Sequence, residues 1–440
     1  MKIAIIGTGY VGLVQGVVLA DFGLNVLCMD SNEEKIKKLK NGEIPIFEPG
    51  LTELLRKNEK ANRIRFTTEY SKVVDEYDVI FIAVPTPASE DGSADLKHVL
   101  DVATQIGKRM KSYKLIVNKS TVPVGTGQLV KKTIQNELKK RDKTIEFDIV
   151  SNPEFLREGK AIGDCLRPDR VIVGAESKRA FETIKEVYNV LYLLKTPFVF
   201  TNIETSEMIK YASNSFLAVK ISFINEMALL AEKVGANVQE IASAMGMDGR
   251  ISPKFLHAGA GFGGSCFPKD TRAIAKIAKA FNEEFLVVEA AIKANKKQIK
   301  KMSSKIISAL GNVGGKRIGI LGLSFKPDTD DLRDAPSVDI IRALVNKKAE
   351  INAFCPQGKK EAKWRMKDIQ NFICYADDEY ECLENVDAAV LLTEWNQFRG
   401  IDLKRVKKLM RGDSFFDFRN VFVENREIRK LFKYYPVGLK

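Results

Sequence analysis

The strongest constraint on this chain lies at its N-terminus. Lys2 to Ile6 is a short apolar run that ends in Gly7-Thr8-Gly9-Tyr10-Val11-Gly12, a G-x-G-x-x-G. A helical pattern follows from Leu13 to Phe22 and is closed by Gly23. A second apolar run, Asn25 to Met29, ends at Asp30. Strand, glycine turn, helix, strand and acid in that order make a βαβ unit. Gly7, Gly9 and Gly12 permit a tight turn and a close approach of backbone to a pyrophosphate, and the N-terminus of the helix that follows offers N–H groups and a positive dipole end. Asp30 is placed to accept hydrogen bonds from ribose hydroxyls and to repel a 2′-phosphate, so the cofactor expected is NAD rather than NADP. The same run superficially resembles a signal peptide. Gly7, Gly9, Gly12 and Gly16 interrupt it and Asp21 closes it, so neither a leader nor a membrane span is expected.

Further apolar runs at Asp78–Val84, Leu115–Asn118 and Asp148–Val150 alternate with helical stretches, as in a parallel, doubly wound sheet over residues 1–201. From Glu204 to Val234 the chain contains neither Pro nor Gly. It reads as one long helix, apolar around most of its circumference, which predicts burial between domains or subunits. Helical sequence continues to about Lys305, giving a central segment over 202–311. Beyond Gly314-Gly315-Lys316, the runs RIGILGLSF, EINAFCP, DAAVLLT and SFFDFRNV predict a second α/β domain over 312–440. The expected fold class is α/β, with two Rossmann-like, doubly wound domains joined by a central helical segment. At roughly 100–200 residues per domain, three segments suit the length.

Seventy Lys and Arg against 57 Asp and Glu leave a formal charge of +13. The densest basic group, Lys293 to Lys301 (KANKKQIKK), has the spacing of a solvated helix face, and aromatic-interleaved basic patches are absent, so no nucleic acid partner is expected. A positive field also suits an anionic small substrate. Six Cys without a C-x-x-C pair point to a reducing, cytoplasmic setting, and two distant His leave a His-rich metal site or a Ser-His-Asp triad without imidazole, so no metal is expected.

Four further places carry chemistry. In Gly261-Phe262-Gly263-Gly264-Ser265-Cys266-Phe267-Pro268-Lys269-Asp270, a glycine-rich loop presents Cys266 beside Lys269; it reads equally as a nucleophile loop or as a small apolar Cys in a structural turn. The other five cysteines are read as structural. Lys210 and Asn214 share a face of the long helix, where Lys210 either meets a ligand or partner or snorkels to the surface. Glu154 and Glu158 in SNPEFLRE follow a strand end and are acid/base or hydroxyl-binding candidates, or else parts of a polar loop. Val84-Pro85-Thr86-Pro87 and Lys119-Ser120-Thr121-Val122-Pro123 also end strands.

Taken together, GTGYVG at Gly7, VPTP at Val84, STVPVG at Ser120, NPEFLREG at Asn152, K-Y-A-S-N at Lys210, GFGGSCFPKD at Gly261 and GLSFKPDTDDLRDAPS at Gly322 resemble the nucleotide-sugar dehydrogenases of the UDP-glucose/GDP-mannose dehydrogenase family along nearly the whole chain. The resemblance implies an NAD-dependent oxidoreductase of polysaccharide biosynthesis. It would oxidise UDP-glucose to UDP-glucuronate by four electrons, with GDP-mannose as the alternative substrate, and would act as a homodimer through its central helices. It implies that Cys266 forms a thiohemiacetal and then a thioester, that Lys210 stabilises oxyanion charge with Asn214 and Asp270 beside it, and that Thr121 and Glu154 hold or activate water. NAD contacts carried over are Val11, Asp30, Lys35, Thr86, Thr121, Glu158, Lys269 and Arg333. Substrate contacts carried over are Glu154, Phe155, Leu156, Arg157, Glu158, Lys210, Asn214, Phe255, Leu256, His257, Ala258, Gly259, Gly263 and Lys326, with Arg250 and Arg419 for the sugar carboxylate and a partner subunit. The chain departs from the pattern at Phe354-Cys355-Pro356, where the family usually has Tyr-Asp-Pro.

Overall fold

A computed structural model describes residues 1–89 and 92–439. The chain divides into two compact units, Met1–Ser213 and Asn214–Lys440, and the division falls inside the long helix Ile203–Val234.

The first unit holds an eight-stranded sheet of β1 (Lys2–Ile6), β2 (Asn25–Met29), β3 (Ile64–Thr67), β4 (Val79–Ile82), β5 (Lys114–Asn118), β6 (Phe147–Ser151), β7 (Val171–Ala175) and β8 (Phe198–Thr201), in the order β3-β2-β1-β4-β5-β6-β7-β8. Along β1, Ile3 and Ile5 enter one core and Ala4 and Ile6 the other, so both faces are covered. That is why the strands read as unbroken apolar runs rather than alternating ones. The order reverses between β1 and β4, the switch point where such sheets bind ligands.

Two expectations are corrected here. The first helix is Tyr10–Asp21, three residues earlier than the apolar pattern from Leu13 suggested, because Gly9 is its N-cap and the motif's last residues form its first turn. The sheet is also not wholly parallel, since β6 pairs antiparallel with β7. The helix between them, Ala161–Leu166, has six residues and rises about 9 Å, against about 16 Å for a five-residue strand. That helix is too short to form a crossover by itself, and β7 runs back alongside the end of β6, with Ser151 opposite Gly174 and Val150 opposite Ala175.

The second unit contains β9 (Arg317–Leu321), β10 (Glu350–Phe354), β11 (Ile373–Tyr375), β12 (Ala388–Leu391), β13 (Ser414–Asp417) and β14 (Lys433–Pro436), all parallel, in the order β11-β10-β9-β12-β13-β14. The helical sequence before it joins the same core: Ile224, Ala228, Ala231, Ile299, Met302 and Ile306 pack with Ile318, Ile320 and Val390. On the helix Leu286–Leu310 the five lysines of the basic group are exposed, while Asn295 and Gln298 among them turn inward.

Candidate functional site

In the first unit the glycine turn is built by close packing. A Cβ on Gly7, whose φ is 102°, would lie 2.4 Å from the Ala83 carbonyl oxygen, and a Cβ on Gly12 would lie 1.9 Å from that of Gly7. Gly9 differs, because a Cβ there would meet nothing within 4 Å, and no side chain of its own caps the helix. The open side of the turn is therefore at Gly9. Tyr10 faces the protein: its hydroxyl donates to buried Glu48 and accepts from the Gly159 amide at 2.8 Å.

Asp30, at the end of β2, accepts from the Thr8 amide (2.9 Å) and hydroxyl (2.8 Å) through Oδ2 and from the Asn32 amide (3.1 Å) through Oδ1. Lys35 Nζ stands 3.2 Å from Oδ2. Burial alone would raise the pKa of Asp30, but these hydrogen bonds and the Lys35 charge outweigh it and hold the carboxyl below its ordinary value.

The loops after β4, β5 and β6 bring the next residues to that end of the sheet. The Thr86 hydroxyl donates to the Thr121 carbonyl at 2.8 Å, which ties the β4 loop to the β5 loop. Glu154 and Lys210 form a buried pair at 3.1 Å, with side chains only 7% and 4% exposed. Glu154 also accepts from the Leu156 amide at 2.6 Å, and the Lys210 ammonium lies 5.1 Å from the centre of the Phe155 ring. Lys210 is thus no snorkelling surface lysine. Arg157 turns away, exposed and bidentate on Asp164, while Glu158 is half-buried.

One buried cation here was not singled out from sequence. Lys119 donates to Asn152 Oδ1 (3.0 Å) and the Tyr188 hydroxyl (3.3 Å), and burial lowers its pKa to about 8. A lysine ending an apolar strand was the available signal.

In the second unit Cys266 is the N-cap of the helix Phe267–Ala280 and is half-buried, 3.5 Å from Ser265 Oγ. The helix start favours negative charge at this place. Asp270 in its first turn is wholly buried and uses both oxygens: Oδ1 accepts from Lys269 and Oδ2 from Asn214 Nδ2, each at 2.6 Å. The loop's glycines serve protein packing. A Cβ on Gly263 would lie 2.3 Å from the Asp334 carbonyl oxygen, and one on Gly264 2.8 Å from the Phe325 ring. Asn295 clamps the loop by accepting from the Phe262 amide (2.8 Å) and donating to its carbonyl (2.9 Å).

The Phe255–Gly259 stretch is held at Gly259 by Asn225 (2.8 Å) and Gln298 (2.7 Å). Leu256 and Ala258 point into the core, whereas exposed His257 lines a cavity of about 360 Å³ with Ala258, Glu394, Arg399, Arg419 and Asn420. Arg419 pairs with Glu394 at 2.6 Å. Lys326 is half-buried, Arg333 pairs with Asp331 at 2.9 Å, and Arg250 is 89% exposed and paired with Asp248.

Of the cysteines read as structural, four are buried and Cys374 is exposed on the edge strand β11, where alternate residues face solvent. No group of His, Cys, Asp and Glu with metal-binding geometry is found among the described residues, and no described helix is long and apolar enough to cross a membrane.

Three segments match one family in order: the NAD binding domain of the UDP-glucose/GDP-mannose dehydrogenase family at residues 1–192, its central domain at 204–297 and its UDP binding domain at 319–424. The chain belongs to the UDP-glucose/GDP-mannose dehydrogenase family. A UDP-glucose 6-dehydrogenase of Rhizobium meliloti (strain 1021) is 47% identical over 442 residues, covering 100% of this chain and 99% of the relative. The TuaD UDP-glucose 6-dehydrogenase of Bacillus subtilis (strain 168) is 46% identical, covering 96% and 89%. Among solved structures, a UDP-glucose dehydrogenase from Pyrobaculum islandicum superimposes with a TM-score of 0.92 at 34% identity, covering 100% of this chain and 98% of that one.

NAD is the family's cofactor, and the residues fit it. Gly9 leaves the helix start open to a pyrophosphate, and Asp30 Oδ1, with one amide donor, retains acceptor capacity for a ribose hydroxyl. The substrate class is a nucleotide sugar.

Proposed function

We propose that this protein oxidises the C6 hydroxyl of UDP-glucose to a carboxylate, releasing UDP-glucuronate, with Cys266 carrying the intermediate. The observation that carries the reading is the cluster in which Cys266 heads a helix whose first turn holds Asp270 between Lys269 and Asn214, in a chain whose curated relatives bear the UDP-glucose name. NAD, when bound, accepts one hydride from C6 in each of two oxidations.

The chain's own residues do the rest. As C6 loses its hydride the hydroxyl passes its proton to water held by Thr121 and Glu154, giving the aldehyde, and Lys210, desolvated beside Glu154, stabilises the negative charge that develops on the oxygen. Cys266 Sγ then adds to the aldehyde carbon: a C–S bond forms, the C=O double bond opens, and the thiol proton ends on the oxygen, which retains the intermediate as a thiohemiacetal. After the second oxidation the carbon is a thioester. Water, held by Thr121 and Glu154, adds to it, the C–S bond breaks, and Cys266 recovers its proton. Asn214 and Lys210 face the successive oxyanions; Asp270 accepts one N–H of the Asn214 amide and so fixes that group, which leaves its second N–H to donate to an oxyanion. Gly7, Gly9, Val11, Asp30, Lys35, Thr86, Glu158, Lys269 and Arg333 serve NAD, and the Phe255–Gly259 stretch, Gly263, Lys326, Arg250 and Arg419 serve the UDP-sugar.

We assign residues 202–311 to a dimerisation segment. Phe216, Phe223 and Leu230 on the long helix are 66%, 48% and 52% exposed and recur at every seventh position, an apolar stripe suited to a second copy of the chain. Six cysteines, none in a disulfide, suit the cytoplasm.

The test measures NADH with UDP-glucose, GDP-mannose and UDP-N-acetylmannosamine in parallel. UDP-glucose should yield two NADH per sugar without free aldehyde. Cys266→Ala should fold and bind NAD but make almost no acid. Acid production by folded Cys266→Ala near the wild-type rate would refute the thioester route, and preference for GDP-mannose would move the substrate to the alternative.

A further inference from the structure

The helix Thr126–Lys140 starts directly after the loop that carries Thr121, with Gly125 as its N-cap in the left-handed region at φ 90°. A glycine offers no side chain to its first amides. Their acceptor comes from another helix: buried Glu207, on Ile203–Val234, takes the Gly125 amide at 2.7 Å through Oε2 and the Gly127 amide at 2.8 Å through Oε1. The two helices approach closely enough there that a Cβ on Gly127 would lie 2.4 Å from Ile203 Cγ2. The loop is held at its other end where the Thr86 hydroxyl meets the Thr121 carbonyl. Glu207 precedes Lys210 by three residues, one turn along the same helix face.

We propose that Glu207 is a positioning residue for the oxidation, its carboxylate locking the Thr121 loop to the helix turn that presents Lys210. The inference rests on the roles given above to Thr121 and Lys210. Both carboxylate oxygens are needed, because protonation turns one into a hydroxyl and leaves one amide poorly accepted. Burial pushes the Glu207 carboxyl up to about 7; Glu204 on its own helix adds to this, and the amides of Gly125, Thr126 and Gly127 oppose it. On the facing helix, Lys131 is occupied by Glu176 at 2.5 Å, and Gln128 donates to Glu204 at 3.1 Å. The lock should therefore loosen as the pH falls through about 7.

The experiment compares wild type, Glu207→Gln, Glu207→Asp and the neighbouring control Glu204→Gln. Glu207→Gln should keep its fold, lower kcat about tenfold or more, change KM for NAD by less than about twofold, and lack the wild type's loss of activity below about pH 7. Glu207→Asp, which keeps the charge but is one methylene shorter, should fall between them, and Glu204→Gln should match the wild-type kcat on the plateau while its acid limb moves slightly to lower pH, because a charge that raises the Glu207 pKa is gone. A folded Glu207→Gln with wild-type kcat, or with the same acid limb, overturns the proposal. Amide hydrogen exchange across residues 120–127 separates this from failure of the substrate reading. Faster exchange in Glu207→Gln supports the lock whichever sugar is oxidised, and unchanged exchange overturns it.

Discussion

Replacing Asp30 with Ala perturbs two properties at once, and the structure gives a size for each. The carboxylate accepts two hydrogen bonds from wholly buried Thr8 and one from the Asn32 amide. Removing it leaves the Thr8 amide and hydroxyl buried without that acceptor, which costs about 1–3 kcal/mol. In a unit of this size, about 2 kcal/mol lowers the melting temperature by roughly 4–8 °C. A 2′-phosphate brought against the carboxylate costs several kcal/mol, and about 3 kcal/mol is roughly a hundredfold preference for NAD. In Asp30→Ala the repulsion is gone, and Lys35, now 3.2 Å from Asp30 Oδ2, is released toward the phosphate. The preference should narrow by at least about tenfold. Initial rates with each cofactor, read as kcat/KM, and calorimetric melting test both halves. Equal use of NAD and NADP by the wild type, or an unchanged ratio in Asp30→Ala, would refute the reasoning.

Two further outcomes follow from burial and charge. A thiol reagent should modify Cys266 and Cys374 quickly in the folded protein and the remaining four only after denaturation, because Cys28, Cys165, Cys355 and Cys382 are buried and burial pushes the Cys28 and Cys165 thiols up to about 12; rapid modification of three or more in the native state contradicts this, and Cys374→Ser should keep its turnover. Burial would raise the pKa of Glu394, but Arg419 overcomes it and holds the carboxyl below its ordinary value of 4.5, so the pair's contribution to stability is complete above that pH and is lost as the pH falls through the lower folded value. Glu394→Gln should therefore melt below wild type at neutral pH, and the difference should shrink on acidification below pH 4.5; a difference that persists at low pH would show that packing, not charge, is responsible.

The sequence by itself determined the βαβ start, because glycine is the only residue that fits where a Cβ on Gly7 or Gly12 would meet a carbonyl oxygen, and such local demands are written residue by residue. It determined β1, β9 and β12 as strands, since residues buried on both faces must be apolar throughout. It also marked Cys266 and Lys210 as candidates, each beside an equally good structural reading, and brought Asp270 forward only through the family resemblance. Tertiary structure alone decided what those residues touch. That Lys210 meets Glu154, that Asp270 lies between Lys269 and Asn214, and that Glu207 caps a helix some eighty residues earlier in the chain are contacts between segments far apart in sequence. No local pattern encodes them. Asn295 and Gln298 make the point within one helix: they were hidden among lysines in the sequence, and only the packing of Leu286–Leu310 against its core turned those two amides inward to hold the Cys loop and Gly259.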